Sequence, residues 1–534
     1  MKKIFKFSQK YFLKYKFRLI LLFFIILISG LCTLSIPIIT GNFIDFLVGV
    51  NRKADIYLYC IVFIMITIIN ILVGFIANRI YTKMNFLLTF NMTEDIIAHA
   101  QKISVFYFLN RNISSITQQI SIDTKVIVDF CFDFFNNFII NILKITIPLV
   151  IIFSISKIMF AIIMILSLIY LFAYISFKKI LYKYNFQVKE EQNVYFSHLY
   201  EQLSKIKFLK THQIEDWFNQ KVQSVFANLL KLVMNLQVVQ YSYSGLDTFI
   251  MSVGQICLFI IGGSLVLQTK ISIGEFTLIS SYFNMGITAI RYFFSLGQNI
   301  QTTLVSYERL IRIENETEEI VGNKKIETID KIHIEKLSFS YDQRQIIFNQ
   351  FLDFEKGNSY AILGKNGIGK TTLINIIIGV YQGYSGKIYY NDYDLDEVDI
   401  KFLRKKHISV VEQEPVLIQD TLYNNIVLDR CVPEEDVKNL VEVWLDDEKF
   451  KDLNMQINEK SCNLSVGEKE KIAIMRAIIK DSDLVIMDEP TAALDKESLK
   501  KIEKLIKDKW KDKIIIIITH DDKLASICDC KIRL

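Results

Sequence analysis

A glycine-rich segment in the second half of the chain has the residue types and the spacing of a phosphate-binding loop. An apolar run, Ser359 to Leu363, precedes Gly-Lys-Asn-Gly-Ile-Gly-Lys-Thr-Thr, and an apolar-periodic stretch follows. This order predicts a strand, a G-x-x-x-x-G-K-[ST] loop and a helix whose N-terminal N–H groups attract phosphate. Lys370 is expected to contact the β- and γ-phosphates, and Thr371 to ligate Mg²⁺. The expected nucleotide-contacting residues are Gly364, Lys365, Asn366, Gly367, Gly369, Lys370, Thr371 and Thr372.

Two further apolar runs lead into polar residues that suit the hydrolysis of a phosphate bond. Leu484 to Met487 is followed by Asp488 and Glu489, and Ile514 to Ile518 is followed closely by His520. The carboxyl ends of parallel strands lie at one edge of a sheet, so we expect these side chains to converge with the loop. Asp488 is expected to hold Mg²⁺, Glu489 to polarise the attacking water, and His520 to contact the γ-phosphate.

The chain that must position these residues has an apolar first part and a more polar second part. Hydrophobic residues make up 51% of the 534 residues, which is too many for an ordinary soluble protein. Segments of roughly 20 apolar residues can cross a membrane. Six segments qualify or nearly qualify: Leu19–Thr40, Ile56–Ile76, Phe138–Ile155, Met159–Phe177, Thr248–Leu267 and Phe276–Phe294. We predict an α-helical transmembrane bundle of six spans over residues 1–315, followed by an α/β P-loop domain over residues 330–534.

Charge and connection lengths predict how this bundle is oriented. The first 18 residues carry seven Lys or Arg residues and no acidic residue, which favours a cytoplasmic N-terminus. The long connections after the second and fourth spans are then cytoplasmic, and their composition predicts helices that extend beyond the membrane. Residues 103–128 and 201–215 are each expected to carry a cytoplasmic turn, with a solvated surface helix as the alternative. The small net charge of +5 argues against nucleic-acid binding.

Polar residues inside predicted spans are candidates for contact with a transported substrate. Lys144 in the third span and Arg291 in the sixth are the charged examples, and asparagines 136, 137 and 141 accompany Lys144. Burying a charge toward lipid is costly, so Lys144 is predicted to face a substrate cavity. Extension of its ammonium group to the membrane interface is the alternative.

The order and spacing of these motifs resemble the ATP-binding-cassette (ABC) transporter family, and the whole chain is similar to an exporter-type half-transporter. The resemblance implies that Tyr341 stacks on the adenine of ATP. It also implies that Gln413, in a loop facing the membrane domain, takes part in catalysis and in binding Mg²⁺. By the same resemblance, Leu464 to Glu468 corresponds to the signature sequence, and Asp495 lies in the D-loop.

The signature departs from the usual L-S-G-G-Q at two positions, Val466 and Glu468. The resemblance implies that Ser465 and Gly467 contact the γ-phosphate held by a second subunit, so the partner is a second half-transporter. A carboxylate at position 468 could weaken ATP binding there. Ser465 and Glu468 also fit an S-x-x-E capping box, and both roles are compatible. We expect a homodimer, because symmetric assemblies are the commoner default, and a heterodimer remains the alternative.

The resemblance implies ATP-driven export by alternating access. The expected location is the cytoplasmic membrane, with membrane lipid around the bundle and the ATPase domain in the cytoplasm. The exported substrate could be a peptide, a lipid or a hydrophobic small molecule. The alternative is an ATP-coupled membrane sensor or immunity component without net transport.

Overall fold

The structure is a computed structural model that describes residues 1–49, 56–109, 111, 113–341, 344–365, 367–445, 447–457, 464–490 and 496–534. The predictions for Asn366 and Asp495 lie outside these residues. The chain forms two compact units. The first unit contains Met1–Ala100 and Ser114–Asn315, and the second contains Gln101–Ile113 and Glu316–Leu534.

Long helices make up the first unit. They are α1 (Lys2–Lys14), α2 (Lys16–Leu47), α3 (Ile56–Ala100), α5 (Ile113–Ile155), α6 (Lys157–Ser204), the short α7 (Ile206–His212), α8 (Glu215–Cys257), the short α9 (Gly263–Leu267) and α10 (Ile273–Glu314). A π-helical turn, Leu258–Gly262, joins α8 to α9, and the four-residue helix α4 (Phe106–Leu109) belongs to the second unit. The 48 residues of α6 span about 72 Å at 1.5 Å per residue, more than twice the hydrocarbon core. Helix α6 is therefore longer than one membrane crossing requires, and its extension into the cytoplasm stays a prediction.

Five helical segments in the described part of the chain are long and apolar enough to cross a membrane. They are Lys16–Leu47, Ile56–Ala100, Ile116–Ile155, Lys157–Ser204 and Glu215–Leu267. The sixth predicted span falls on α10, which has 42 residues. The structure therefore gives a helical transmembrane region, and the count of six stays a prediction.

Helix α10 is fixed to the end of α2 by hydrogen bonds to one carboxylate. Ser272 donates to Asp45 Oδ2 at 2.6 Å, and the Gly274 N–H donates to Asp45 Oδ1 at 2.8 Å. Ser272 also forms a capping box with Glu275, which satisfies N–H groups in the first turn of α10. Farther along, the Tyr282 hydroxyl donates to the Leu34 carbonyl at 2.8 Å. These contacts hold the first and last long helices of the bundle together.

The second unit alternates strands and helices. Its strands are β1 (Lys331–Tyr341), β2 (Arg344–Glu355), β3 (Ser359–Leu363), β4 (Ser385–Tyr390), β5 (Tyr393–Asp394), β6 (Ile408–Val411), β7 (Asp420–Thr421), β8 (Gln456–Ile457), β9 (Leu484–Asp488), β10 (Ile514–Ile518) and β11 (Cys530–Arg533). Its helices after α4 are α11 (Lys370–Ile377), α12 (Ile400–Lys406), α13 (Leu422–Val427), α14 (Glu434–Trp444), α15 (Val466–Lys480), α16 (Lys496–Lys504) and α17 (Asp522–Ile527). Short 3₁₀ turns lie at Leu395–Glu397 and Glu448–Phe450, and a π-helical turn at Leu505–Lys509.

A parallel sheet with the strand order β11-β3-β10-β9-β6 lies at the centre of this unit. Its central strand β10 consists of isoleucines, each at most 2% exposed. Their alternation places Ile515 and Ile517 in one hydrophobic cluster and the others in a second cluster on the opposite face. Ile518 pairs with Ile362 of β3 and with Asp488 of β9. The three strands therefore end side by side, as predicted, and present the residues that follow them at one edge.

Candidate functional site

The glycine-rich loop between β3 and α11 has the backbone that phosphate binding requires. Gly367 and Gly369 have φ values of +80° and +107°, a region that side-chain-bearing residues rarely adopt. A Cβ atom on Gly369 would also lie only 2.5 Å from Ile346 Cγ2. The Lys370 side chain is 6% exposed and donates from Nζ to the Gly364 carbonyl at 2.8 Å. The loop thus holds the ammonium group at the N-terminus of α11, where phosphate oxygens would lie.

Thr371 and Asp488 form a pair of oxygen ligands beside this loop. The Thr371 hydroxyl donates to Asp488 Oδ2 at 2.8 Å, and Asp488 is 6% exposed. Burial raises the pKa of Asp488, while the hydrogen bond from Thr371 acts in the opposite direction. A cation would relieve the cost of burying this carboxylate. Mg²⁺ prefers oxygen ligands and commonly uses one or two carboxylates with water and phosphate oxygens, so the pair fits that ion.

Glu489 lies at the centre of a hydrogen-bonded cluster of predicted catalytic residues. Its Oε2 accepts from Gln413 Nε2 at 2.9 Å, and its Oε1 lies 2.9 Å from His520 Nε2. The same imidazole nitrogen is 2.9 Å from Lys370 Nζ. Glu489 has a φ of +49°, and its N–H donates to the Ile518 carbonyl at 2.9 Å. Glu489 thus adopts a sparsely populated backbone conformation at the edge of the sheet. This conformation directs its carboxylate toward the glycine-rich loop.

Aromatic residues surround Tyr341 at the end of β1. The Phe106 ring of α4 lies 6.2 Å from that of Tyr341 and 4.9 Å from that of Tyr381, and the two tyrosine rings meet edge to face at 6.0 Å. The Tyr341 hydroxyl is 3.4 Å from Thr372 Oγ1. Burial, followed by the hydrogen bond with Tyr341, raises the pKa of Tyr381 to about 12. This cluster gives Tyr341 a fixed ring position beside the phosphate loop, as stacking on a planar base requires.

The signature residues begin α15 with a complete capping box, so the predicted cap is confirmed. The Ser465 hydroxyl accepts from the Glu468 N–H at 3.2 Å, and Glu468 Oε2 accepts from the Ser465 N–H at 2.7 Å. Glu468 Oε1 pairs with Lys449 Nζ at 2.7 Å. Burial alone raises the pKa of Glu468, but the hydrogen bonds from Lys449 and Ser465 outweigh it, and the net effect lowers the pKa. Val466, in contrast, is 57% exposed.

Lys449 and Tyr381 are two residues that sequence reasoning missed. Lys449 lies in the 3₁₀ turn Glu448–Phe450, and 18 residues separate it from Glu468. Tyr381 follows α11 and contacts Tyr341 from a distant part of the sequence. Neither residue belongs to a local motif. Only the tertiary structure reveals their roles.

The polar residues of the predicted spans have different environments. Arg291 pairs with Asp247, with 2.5 Å between Arg291 Nη2 and Asp247 Oδ2. Lys144 is half-buried and has no carboxylate partner within the described part of the chain. An apolar cavity of about 240 Å³ lies on the adjoining stretch of α5 and includes Ile145 and Pro148, but Lys144 does not line it. A carboxylate thus already neutralises Arg291, whereas the substrate-facing role of Lys144 stays a prediction.

Two family profiles match the chain. The profile described as ABC transporter transmembrane region matches residues 19–290, and the profile described as ABC transporter matches residues 347–492. The second match contains the phosphate loop, Gln413, the signature and Glu489.

Curated relatives match over part of their length. The ATP-dependent lipid A-core flippase 2 of Colwellia psychrerythraea is 31% identical over 264 residues, which are 48% of this chain and 45% of that protein. The multidrug resistance-like ATP-binding protein MdlB of Buchnera aphidicola is 32% identical over 237 residues, which are 43% of this chain and 40% of that protein. The matched part of the chain thus spans less than half the length of these relatives.

A solved structure extends the similarity to nearly the whole chain. The structure of a bacterial Atm1-family ABC exporter with ATP bound aligns with a TM-score of 0.85 at 17% identity. The alignment covers 97% of this chain and 93% of that chain. At this level of identity, the similarity shows a shared fold.

Proposed function

This chain belongs to the ABC transporter family, and on that premise we propose that it uses ATP hydrolysis to export a substrate across the cytoplasmic membrane. The observation that carries this proposal is the contact of Glu489 with both Gln413 and His520 at the edge of the parallel sheet. The same chain contains helices long and apolar enough to span a membrane. A hydrolytic cluster and a membrane bundle in one chain are what an ATP-driven pump requires.

The proposed chemistry begins with ATP held by the glycine-rich loop. Lys370 neutralises charge on the β- and γ-phosphates, and Thr371 and Asp488 hold Mg²⁺, with Gln413 as a further ligand. When bound, Mg²⁺ stabilises the negative charge that develops on the phosphate oxygens. Glu489 orients and polarises the attacking water, and His520 contacts the γ-phosphate. The existing contacts of His520 with Lys370 and Glu489 support this assignment.

Alternating access would connect this chemistry to the membrane helices. In this proposal, α10 is the sixth span, and the cytoplasmic turns at α4 and α7 transmit the closure of two ATPase domains. The packing of Phe106 on Tyr341 and Tyr381 supports a path from bound adenine to α4, which lies in sequence between the long helices α3 and α5. The second ATPase domain comes from another half-transporter, since the signature acts in the site of the opposite subunit.

The substrate class is open among peptides, lipids and hydrophobic small molecules. The relative from Colwellia psychrerythraea is called a lipid A-core flippase, and the one from Buchnera aphidicola a multidrug resistance-like protein. Both names support an amphipathic or hydrophobic substrate. The apolar lining of the cavity of about 240 Å³ in the first unit suits an apolar group of such a molecule better than a charged one.

Inverted membrane vesicles containing the purified chain test the proposed function. We expect radiolabelled amphipathic substrates to accumulate inside them with ATP, but not with a nonhydrolysable analogue. Vesicles containing the Glu489→Gln variant are the matched control. ATP hydrolysis without accumulation of any candidate from the three classes would instead favour the sensor alternative.

Lys144 provides a prediction for the substrate site. If its ammonium group holds an anionic or carbonyl group, Lys144→Met should weaken the substrate stimulation of ATPase activity by about ten-fold, the loss expected for a charge-assisted hydrogen bond. The matched control is Lys157→Met, which removes the same charge at the exposed start of α6. Unchanged stimulation across several substrates would show that the Lys144 ammonium group instead extends to the membrane interface.

A further inference from the structure

Helix α1 forms one wall of an open cavity of about 870 Å³ in the first unit. The helix is anchored on its buried face, where Ile4 is fully buried and the Ser8 hydroxyl lies 3.3 Å from Cys131 Sγ. The Phe5 ring also packs 5.0 Å from the Phe134 ring of α5. The cavity therefore lies between elements that are packed against one another, and its volume is within the ~300–1,000 Å³ range of ligand pockets.

The floor of the cavity is aromatic and aliphatic. Its aromatic lining comes from α1, α2 and α5, namely Phe5, Phe12, Phe23, Phe132, Phe134 and Phe135. Its aliphatic lining consists of Leu13 of α1 and of Leu19, Ile20 and Leu22 in the first turns of α2, the first candidate membrane span. The cavity thus lies at the start of a helix that is long and apolar enough to cross a membrane.

Three lysines, Lys2, Lys6 and Lys16, also line the cavity, and all three are exposed. Within the described residues, none of them has a carboxylate partner, whereas Lys10 on the same helix pairs with Asp95 at 3.4 Å. The nearby carboxylate of Asp133 accepts from Asn137 and does not line the cavity. The cavity therefore combines an apolar floor with unneutralised positive charge.

We propose that this cavity binds one anionic diacyl phospholipid from the adjoining leaflet. The acyl chains lie against the phenylalanines of α1 and α5, and the phosphate lies among Lys2, Lys6 and Lys16. Lysines extend their ammonium groups to the interface while their methylene stems cover apolar surface, so this geometry needs no rearrangement of the helices. The bound lipid joins α1 to α2 and α5. The proposal is independent of ATP hydrolysis and concerns a site outside the phosphate-binding cluster.

Native mass spectrometry of the full-length chain in detergent tests this site with two probes, phosphatidylglycerol and phosphatidylcholine with identical acyl chains. Each lysine near a lipid phosphate contributes up to about five-fold in affinity, so we expect phosphatidylglycerol to bind at least about ten-fold more tightly than phosphatidylcholine. Replacing Lys2, Lys6 and Lys16 together with Gln should abolish this preference and leave phosphatidylcholine binding unchanged.

A matched triple variant distinguishes lipid binding in the cavity from general electrostatic attraction of anionic lipid to the basic N-terminal segment. Lys3→Gln, Lys14→Gln and Arg18→Gln together remove the same charge from residues that do not line the cavity, and this variant should keep the preference. An equal loss in both triple variants, or no preference in the unmodified protein, would overturn the proposal. So would displacement of phosphatidylglycerol by millimolar inorganic phosphate, because acyl chains would then not be required.

Discussion

Replacing Glu489 with Gln should lower ATP hydrolysis by about 10³-fold, the contribution expected of a positioned general base. The substitution removes the carboxylate that, in the proposed mechanism, polarises the attacking water, but it keeps the size of the side chain. The amide oxygen of the introduced Gln can still accept the hydrogen bond that Gln413 Nε2 now donates to the Glu489 carboxylate at 2.9 Å. The local fold should therefore be preserved. Nucleotide affinity should change little, because Lys370, Thr371 and Asp488 remain. Steady-state phosphate release and equilibrium binding of fluorescent ATP measure the two quantities separately.

Lys370→Ala is the contrasting variant, because it removes the cation expected on the β- and γ-phosphates. It should lose nucleotide affinity, whereas Glu489→Gln should retain it and stall with ATP bound. ATPase rates of the unmodified protein in the Glu489→Gln variant would show that another group activates the water. A parallel loss of ATP binding in both variants would indicate instead that Glu489 mainly maintains the loop through His520 and Lys370.

The hydrolytic edge could be predicted from sequence because each of its parts is local. The isoleucine run of β10 and the apolar run of β9 identify buried strands, and parallel pairing then aligns their ends. The phosphate loop predicts its own strand and helix. Once β3, β9 and β10 lie side by side, Lys370, Glu489 and His520 must follow at the same edge.

Contacts between distant segments could not be predicted in this way. Asp247 lies 44 residues before its partner Arg291, in a different helix, and no sequence period relates them. Sequence reasoning therefore gave Arg291 as a candidate for contact with substrate without its carboxylate partner. The same limit applies to Lys449, because docking of its 3₁₀ turn beside α15 determines its contact with Glu468.

The contact of Lys449 with Glu468 bears directly on subunit pairing. The atypical carboxylate of the signature accepts from Lys449 Nζ and from the Ser465 N–H, both at 2.7 Å, so its charge is neutralised within the subunit. Ser465 and Gly467, the residues proposed to contact the γ-phosphate of the opposite subunit, are the usual signature residues. A homodimer with this signature in both sites is therefore electrostatically acceptable, and symmetric assemblies are the common default.

We therefore expect the chain to hydrolyse ATP when it is purified alone. Ser465→Arg should lower the rate by about 10²-fold or more, the effect expected when a hydrogen-bond donor to the negative charge of the transition state is lost. Arginine at this position also removes the N-terminal cap of α15, and its side chain would fill the space proposed for the γ-phosphate of the opposite subunit. A folded chain that is inactive alone and recovers only with a different half-transporter would contradict the homodimer.

Mixing two inactive variants gives the sharper test of that arrangement. In a mixed dimer of Ser465→Arg and Glu489→Gln chains, one site combines an intact Glu489 with an intact Ser465 from the other chain, while the second site carries both substitutions. Random assembly of equal amounts makes half of the dimers mixed, each with one functional site of two, so about a quarter of the original rate should return if the sites act independently. If the signature acted within its own subunit, each variant would spoil only its own site, and mixing would restore nothing.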